Sequence, residues 1–158
     1  MIVFSNTTPI IALSSIQRLD LLPNLFGEIH LVTEVIDECA AGGPVSVPIL
    51  REIDWVKPVQ STPVQNTSVL LELDKGEKHT LDMAIKLNAD WVIIDEKIGR
   101  NMAEYLGLRV TGTLGILLKA KQQGLIPSFL DSVKAMRAQG IYYQTALITK
   151  LSQRVGEA

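Results

Sequence analysis

Two polar residues stand where an open α/β sheet gathers its chemistry. Asn6 follows the apolar run Ile2-Val3-Phe4-Ser5, and Asp95 follows Trp91-Val92-Ile93-Ile94. If both runs are parallel strands, both residues lie just beyond strand carboxyl ends, where the loops converge on one crevice. Taken alone, each could serve as a helix cap, and for Asp95, directly before Glu96-Lys97-Ile98, capping is the better reading. Glu77 shifts the balance, because it precedes Leu81, Ala84 and Ile85 at helical spacing and so falls on the buried side of its own helix. One reason for a carboxylate there is the positive end of the helix dipole. The other is a shared cation: Mg²⁺ and Mn²⁺ take oxygen ligands, and crowded carboxylates ionise readily only when a cation offsets their repulsion. On the segment Thr33 to Ala40 the apolar face spans Val35, Ile36, Cys39 and Ala40. Glu34 points away from it, Glu38 borders its Val35 side and Asp37 its Ile36 side, so spacing leaves Glu38 and Asp37 open as a further acid and reads Glu34 as solvated.

These residues need a scaffold, and the sequence describes one. Ile2 to Ser5 reads as a strand stopped by Asn6-Thr7-Thr8-Pro9, with Thr8 as the cap of the following helix and Pro9 in its first turn. Leu19 to Phe26 suggests a second helix ending at Gly27, and Ile29 to Val32 a strand feeding a helix capped by Thr33. Residues 42–66 hold Gly42-Gly43 and four of the seven prolines, so loop with short elements is expected. From Gly76 the pattern becomes regular: helix to about Asn88, strand Trp91 to Ile94, helix Glu96 to Leu106, strand Leu108 to Val110, and helix Thr113 to about Gln123. Alternation of this kind predicts a three-layer α/β/α sandwich around a central parallel sheet. Two apolar stripes follow, Phe129-Leu130-Val133-Met136 and Leu147-Ile148-Leu151-Val155. They make residues 125–158 a helical extension of a single domain, packed internally or, less commonly, at a dimer interface.

Composition agrees with one domain. At 158 residues and 47% apolar content, the chain can bury a substantial core but not build a second full domain. A single cysteine, Cys39, precludes an internal disulfide and points to a reducing, cytoplasmic location. The uncharged first 17 residues are interrupted by Ser, Asn, Thr and Pro, and read as neither signal peptide nor membrane span. Net charge is −2, with 8 basic and 14 acidic residues before position 101 and 7 and 3 after it. An acidic region able to hold metal beside a surface tolerant of phosphates fits this split, as does ordinary surface scatter.

Five stretches carry a family resemblance: Val3 to Leu13, Val35 to Glu38, Gly76 to Leu81, Val92 to Arg100 and Thr111 to Gly115. In order and spacing they resemble the PIN domain, in particular its small prokaryotic branch related to toxin nucleases of VapC type. The resemblance implies an α/β/α sandwich whose acids bind Mg²⁺ or Mn²⁺ to hydrolyse RNA. By position, Asn6 matches the acid after the first strand, Glu38 the acid on the helix after the second strand, and Glu77 and Asp95 two more. The resemblance thus favours Glu38 over Asp37. It also implies an RNA substrate, an antitoxin protein as partner and a homodimer.

The chain departs from the family at two places. Asn6 stands where Asp is usual, so one negative charge is missing and metal affinity should fall. Where many relatives place another acid, this chain has Thr111-Gly112-Thr113, whose hydroxyls and helix-start N–H groups suit a phosphate or a water; for Thr113 an ordinary N-cap is an equal alternative. Lys97 and Arg100 are candidates to hold the RNA backbone, with solvated surface charge preferred for Lys97. His30 and His79 lack ligand-spaced partners. Two other readings remain: a PIN-fold module that has lost catalysis and recognises RNA or protein, motivated by Asn6, and a phosphate-accepting receiver domain, weakened by Ser5-Asn6 in place of an acidic pair. No phosphate-loop, dinucleotide or serine-hydrolase motif is present.

Overall fold

The computed structural model describes residues 1–65, 68 and 70–157. Five parallel strands form one sheet in the order β3-β2-β1-β4-β5: β1 (Val3–Ser5), β2 (Ile29–Val32), β3 (Val56–Val59), β4 (Trp91–Ile93) and β5 (Val110–Thr111). The first three strands step one way across the sheet, and the chain then returns to lay β4 on the free side of β1. The direction of winding therefore reverses between β1 and β4, the place where an open parallel sheet offers its crevice. Val3, Phe4 and Ser5 are all fully buried, so the central strand is covered on both faces, as parallel sheets require.

Among the described residues, eight α-helices supply the cover: α1 (Thr7–Ser15), α2 (Leu21–Phe26), α3 (Thr33–Ala40), α4 (Lys75–Lys86), α5 (Lys97–Tyr105), α6 (Thr113–Gln122), α7 (Phe129–Ala138) and α8 (Thr145–Arg154). Helix α4 packs on β1, β2 and α3, and α2 packs on β2 and α6. Leu81 and Ala84 of α4 are fully buried, which is the apolar stripe read from their spacing. The three-layer α/β fold with a parallel sheet is thus as expected from the sequence.

Several local expectations are corrected. The loop expected over 42–66 contains a short 3₁₀ turn, Leu50–Glu52, and the edge strand β3. Pro58 pairs in register with Leu31, and a residue without an N–H is tolerated there because no strand lies beyond it. Thr8 does not cap α1; the helix begins at Thr7 after Asn6, and Pro9 is its third residue. Thr33 is the first residue of α3 rather than its cap, and its hydroxyl donates to Glu34. Glu34 is not solvated: it accepts a hydrogen bond from Ser61 Oγ at 2.6 Å and lies 3.7 Å from His79 Nε2.

The C-terminal stripes pack inward at Phe129, Val133, Met136 and Ile148, while Leu147 stays exposed. Glu157 ties the end of the chain down by accepting from Ser128 Oγ and from the N–H groups of Phe129 and Leu130. This places a carboxylate on the otherwise unsatisfied donors that open α7. Among the described residues, no helix is long and apolar enough to cross a membrane.

Candidate active site

The switch point is built around the first turn of α1. Ser5 pairs with Ile93 across β1 and β4, and the N–H of Asn6 continues the ladder by donating to the Ile93 carbonyl at 2.9 Å. This fixes Asn6 at the strand end in extended backbone, as the N-terminal boundary residue of α1. Its side chain makes no capping hydrogen bond. Only 3% of the residue is exposed, and Oδ1 is buried with no hydrogen-bond partner among the described residues. A buried carbonyl oxygen left unpaired costs about 1–3 kcal/mol, so the capping role considered from the sequence does not account for it.

Carboxylates gather at the two residues that follow it on α1. Thr7 donates its hydroxyl to Glu38 Oε2, and Thr8 donates to Glu96 Oε1 at 2.9 Å. Consecutive hydroxyls on α1 thereby hold one acid from α3 and one from the turn before α5. Glu77 comes from α4, where the Asp74 cap accepts from its N–H at 2.9 Å. It is 6% exposed, the buried carboxylate that its helical spacing predicts. Burial foremost, and then the charges of Asp74, Glu96 and Glu38, push the Glu77 carboxyl up to about 8.

Two glycines make room for these acids. A Cβ on Gly76 would sit 2.6 Å from Glu38 Oε1, and one on Gly99 would sit 2.5 Å from Glu77 Oε2. Each carboxylate therefore lies directly against the backbone of a neighbouring helix, a position that any larger residue would take from it.

Glu38 and Glu96 thus lie within electrostatic reach of Glu77, and Thr7, the neighbour of Asn6, holds Glu38. Asp95 also stands beyond its strand but engages a different group: Oδ1 accepts from the Thr113 N–H at 2.7 Å, and Oδ2 accepts from Thr113 Oγ1 at 2.7 Å and Tyr143 Oη at 2.8 Å. It supplies the start of α6 with an acceptor across 18 residues of sequence. The N–H and hydroxyl of Thr113, expected to suit a phosphate, are both committed to this carboxylate. Burial, followed by the Asp95 charge, drives the Tyr143 hydroxyl far above its ordinary range, so it remains a donor.

Glu96 also acts on Glu77 electrostatically, after Asp74, and is the acid that sequence reading passed over in favour of its neighbour. No local signal singles it out, because the hydroxyl that holds it, Thr8, lies 88 residues away in sequence. Arg100 donates Nη1 to the Ile94 carbonyl at 3.1 Å and lines a cavity with Thr111 and Asp95. Lys97 is exposed at the start of α5, and Asp37 is exposed beside the 42–51 loop.

The donor set suits a hard divalent ion. It is oxygen only, and it combines an amide oxygen lacking a partner with a buried Glu77 carboxyl on which Glu38 and Glu96 act, a repulsion an ion would relieve. The carboxylates nevertheless stand apart: among the described residues, no three His, Cys, Asp or Glu side chains converge tightly enough to form a metal-binding group. Asn6, an amide, is outside that count.

Comparison with known proteins places this geometry in context. A profile of the DUF3368 family, described as a PIN domain, matches residues 2–157. Among solved structures, the fold is similar to that of a PilT N-terminus domain protein from the hyperthermophilic archaeon Sulfolobus solfataricus P2, with a TM-score of 0.56 and 18% sequence identity. That match covers 76% of this chain and 93% of the archaeal one. No curated protein matches the chain.

Proposed function

Since the chain belongs to the PIN-domain family, whose members are generally nucleases, we propose that it is a Mg²⁺- or Mn²⁺-dependent endoribonuclease and that Asn6, Glu38, Glu77 and Glu96 hold the ion. The observation that carries this reading is the buried, unpartnered Asn6 oxygen at the strand end, together with a buried Glu77 carboxyl that burial and the charges of Asp74, Glu96 and Glu38 push up. A cation at that position supplies charge neutralisation at the scissile phosphate and a more acidic water when bound.

The chain's own groups have separable tasks. Thr7 and Thr8 orient Glu38 and Glu96, so that the two outer acids are presented from fixed directions. Glu77 is buried and reluctant to ionise, which makes it the acid whose deprotonation is most tightly linked to ion binding. Asp95 acts as a positioning residue: it joins the end of β4 to the start of α6 through Thr113 and to the C-terminal segment through Tyr143. Arg100, with a guanidinium near the strand ends, is suited to the RNA backbone. Lys97 and the hydroxyl of Thr111 extend that contact.

The biological role we propose is the toxin half of a toxin–antitoxin pair, with an antitoxin protein and a second copy of the chain as partners. The motifs shared with the toxin-related branch support it. To test the chemistry, purified protein is incubated with single-stranded RNA and Mn²⁺, with EDTA, and as Glu77→Gln and Glu96→Gln. Cleavage that EDTA abolishes and both substitutions reduce by at least about a hundredfold, comparable to losing about 3 kcal/mol of transition-state stabilisation, supports the reading. Cleavage indifferent to EDTA and to both substitutions rejects it.

Asn6 favours one competing reading, a PIN-fold binding module without catalysis, because the amide leaves the site one charge short. Asn6→Asp separates the two: inert wild type with an active variant identifies the binding module.

A further inference from the structure

Asp95 also lines a cavity of about 370 Å³ to which the C-terminal helix contributes. That volume lies in the range of small-molecule sites, about 300–1,000 Å³. Its walls are of two kinds. Leu114 and Leu118 of α6 and Leu147 and Leu151 of α8 form the apolar part of its lining, a slot between the two helices. Arg100 and Arg154 supply two guanidiniums, and Asp95 is the one carboxylate among the lining residues.

The charges do not cancel. Both Asp95 oxygens are taken by Thr113 and Tyr143. Arg100 has only the Ile94 carbonyl as acceptor, and among the described residues neither arginine forms an ion pair. Two guanidiniums without carboxylate partners, at the mouth of a slot between leucines, complement a flat group that carries a phosphate. Gly112 keeps the arrangement open, since a Cβ there would lie 2.6 Å from Arg100 Nη1 and 2.9 Å from Asp95 Oδ1. Its backbone is extended, so the requirement is for space and not for an unusual conformation.

We propose that this cavity is a nucleotide subsite, in which the base of the residue next to the scissile phosphate enters the leucine slot and its phosphate meets Arg100 and Arg154. The inference rests on the ribonuclease reading for its substrate and shares Arg100 with it, while the leucines and Arg154 play no part in that reading. It gives the C-terminal helix a function, because Arg154, Leu147 and Leu151 all come from α8. It also distinguishes Arg100, which faces the cavity, from exposed Lys97.

Binding is measured in EDTA, where no cleavage intervenes, by calorimetry with the four ribonucleoside 5′-monophosphates and with a short single-stranded RNA. The intact chain is compared with Arg154→Gln, with Leu147→Trp, which fills the slot from an exposed position, and with Glu77→Gln. Saturable mononucleotide binding is expected in the wild type and in Glu77→Gln. It should weaken by about tenfold or more in Arg154→Gln, through loss of a charge-assisted contact, and should be blocked by Leu147→Trp. For the RNA, Arg154→Gln should reduce the slope of log affinity against log salt by about 0.7, the value for one phosphate on a single strand. Equal affinity in all four proteins, or no mononucleotide binding, overturns the subsite. So does binding of inorganic phosphate as tight as that of the nucleotides, because the slot would then contribute nothing. Capture of an acidic peptide without any nucleotide also overturns it and assigns the cavity to a protein partner. The two proposals fail separately: cleavage that persists in Arg154→Gln at wild-type KM removes the subsite alone, and nucleotide binding without metal-dependent cleavage removes the nuclease alone.

Discussion

Replacing Glu77 by Gln should make the metal-free protein less sensitive to alkali. The Glu77 carboxyl rises from an ordinary 4.5 to about 8 on folding, chiefly by burial and then by the charges of Asp74, Glu96 and Glu38. Between those values the native state keeps a proton that the unfolded chain has released, so stability is full below 4.5 and falls as pH rises through about 8. Integrated from about pH 5 to about pH 8, the loss from this one group is roughly 3–4 kcal/mol. For a chain of this size each kcal/mol moves the melting temperature by roughly 2–4 °C, so the wild type should lose roughly 6–16 °C over that interval on this account alone. The amide in Glu77→Gln does not titrate and should abolish that part of the slope. The assay is thermal unfolding in EDTA at both pH values, followed by circular dichroism. Parallel slopes in the two proteins would refute the reasoning, because the carboxylate would then be as well solvated folded as unfolded. Adding Mn²⁺ supplies the complementary test: wild type should gain melting temperature at pH 8, with uptake of the ion releasing a proton near pH 7, and Glu77→Gln should gain much less.

Three further outcomes follow from particular contacts. Asn6→Asp should lower the Mn²⁺ concentration needed for half-maximal thermal stabilisation and, without metal, destabilise the fold at alkaline pH, since it buries a charge where the amide oxygen already lacks a partner; a melting scan against Mn²⁺ reads both. Gly99→Ala should weaken Mn²⁺-dependent stabilisation by displacing the Glu77 carboxylate, although alanine in a helix interior is otherwise favoured by about 1 kcal/mol over glycine; a variant that is simply more stable and binds Mn²⁺ normally contradicts the close approach. Glu157→Gln should destabilise the C-terminal helices by about 1 kcal/mol, the scale of a lost helix cap. Burial works against ionisation of Glu157, but the Leu130 and Phe129 N–H groups and the Ser128 hydroxyl outweigh it and hold the carboxyl below its ordinary value. Its contribution should therefore be present above that value and disappear as pH falls, which urea unfolding of both proteins at acidic and neutral pH can measure.

What the sequence disclosed of this site depended on the kind of signal each residue left. Glu77 was legible because a carboxylate at i relative to apolar i+4, i+7 and i+8 violates the pattern of an amphipathic helix, and the burial it implied is found. Asn6 was legible because strand ends can be read from where an apolar run stops. Glu38 and Asp37 could not be separated by spacing, since both border the apolar face of α3; a contact from another element, the Thr7 hydroxyl, is what distinguishes Glu38. Glu96 was missed for a similar reason. The apolar run Trp91 to Ile94 made Asp95 the residue beyond the strand, whereas the strand stops at Ile93 and the turn presents Asp95 to Thr113 and Glu96 to Thr8. Strand β3 left little trace because an edge position tolerates Pro58 and exposed Lys57, and neither resembles a buried parallel strand. The pairing of Tyr143 with Asp95 spans 48 residues and follows no local rule.

The central claim is that Asn6, Glu38, Glu77 and Glu96 share one divalent ion. Crystals grown with Mn²⁺ and measured for anomalous scattering test it most directly. We expect a single strong peak within coordination distance of Asn6 Oδ1 and the Glu77 carboxylate, with Glu38 and Glu96 drawn toward it and the peak absent in Glu77→Gln. A peak centred instead on Asp95, or none near Asn6 at saturating Mn²⁺, would contradict the account.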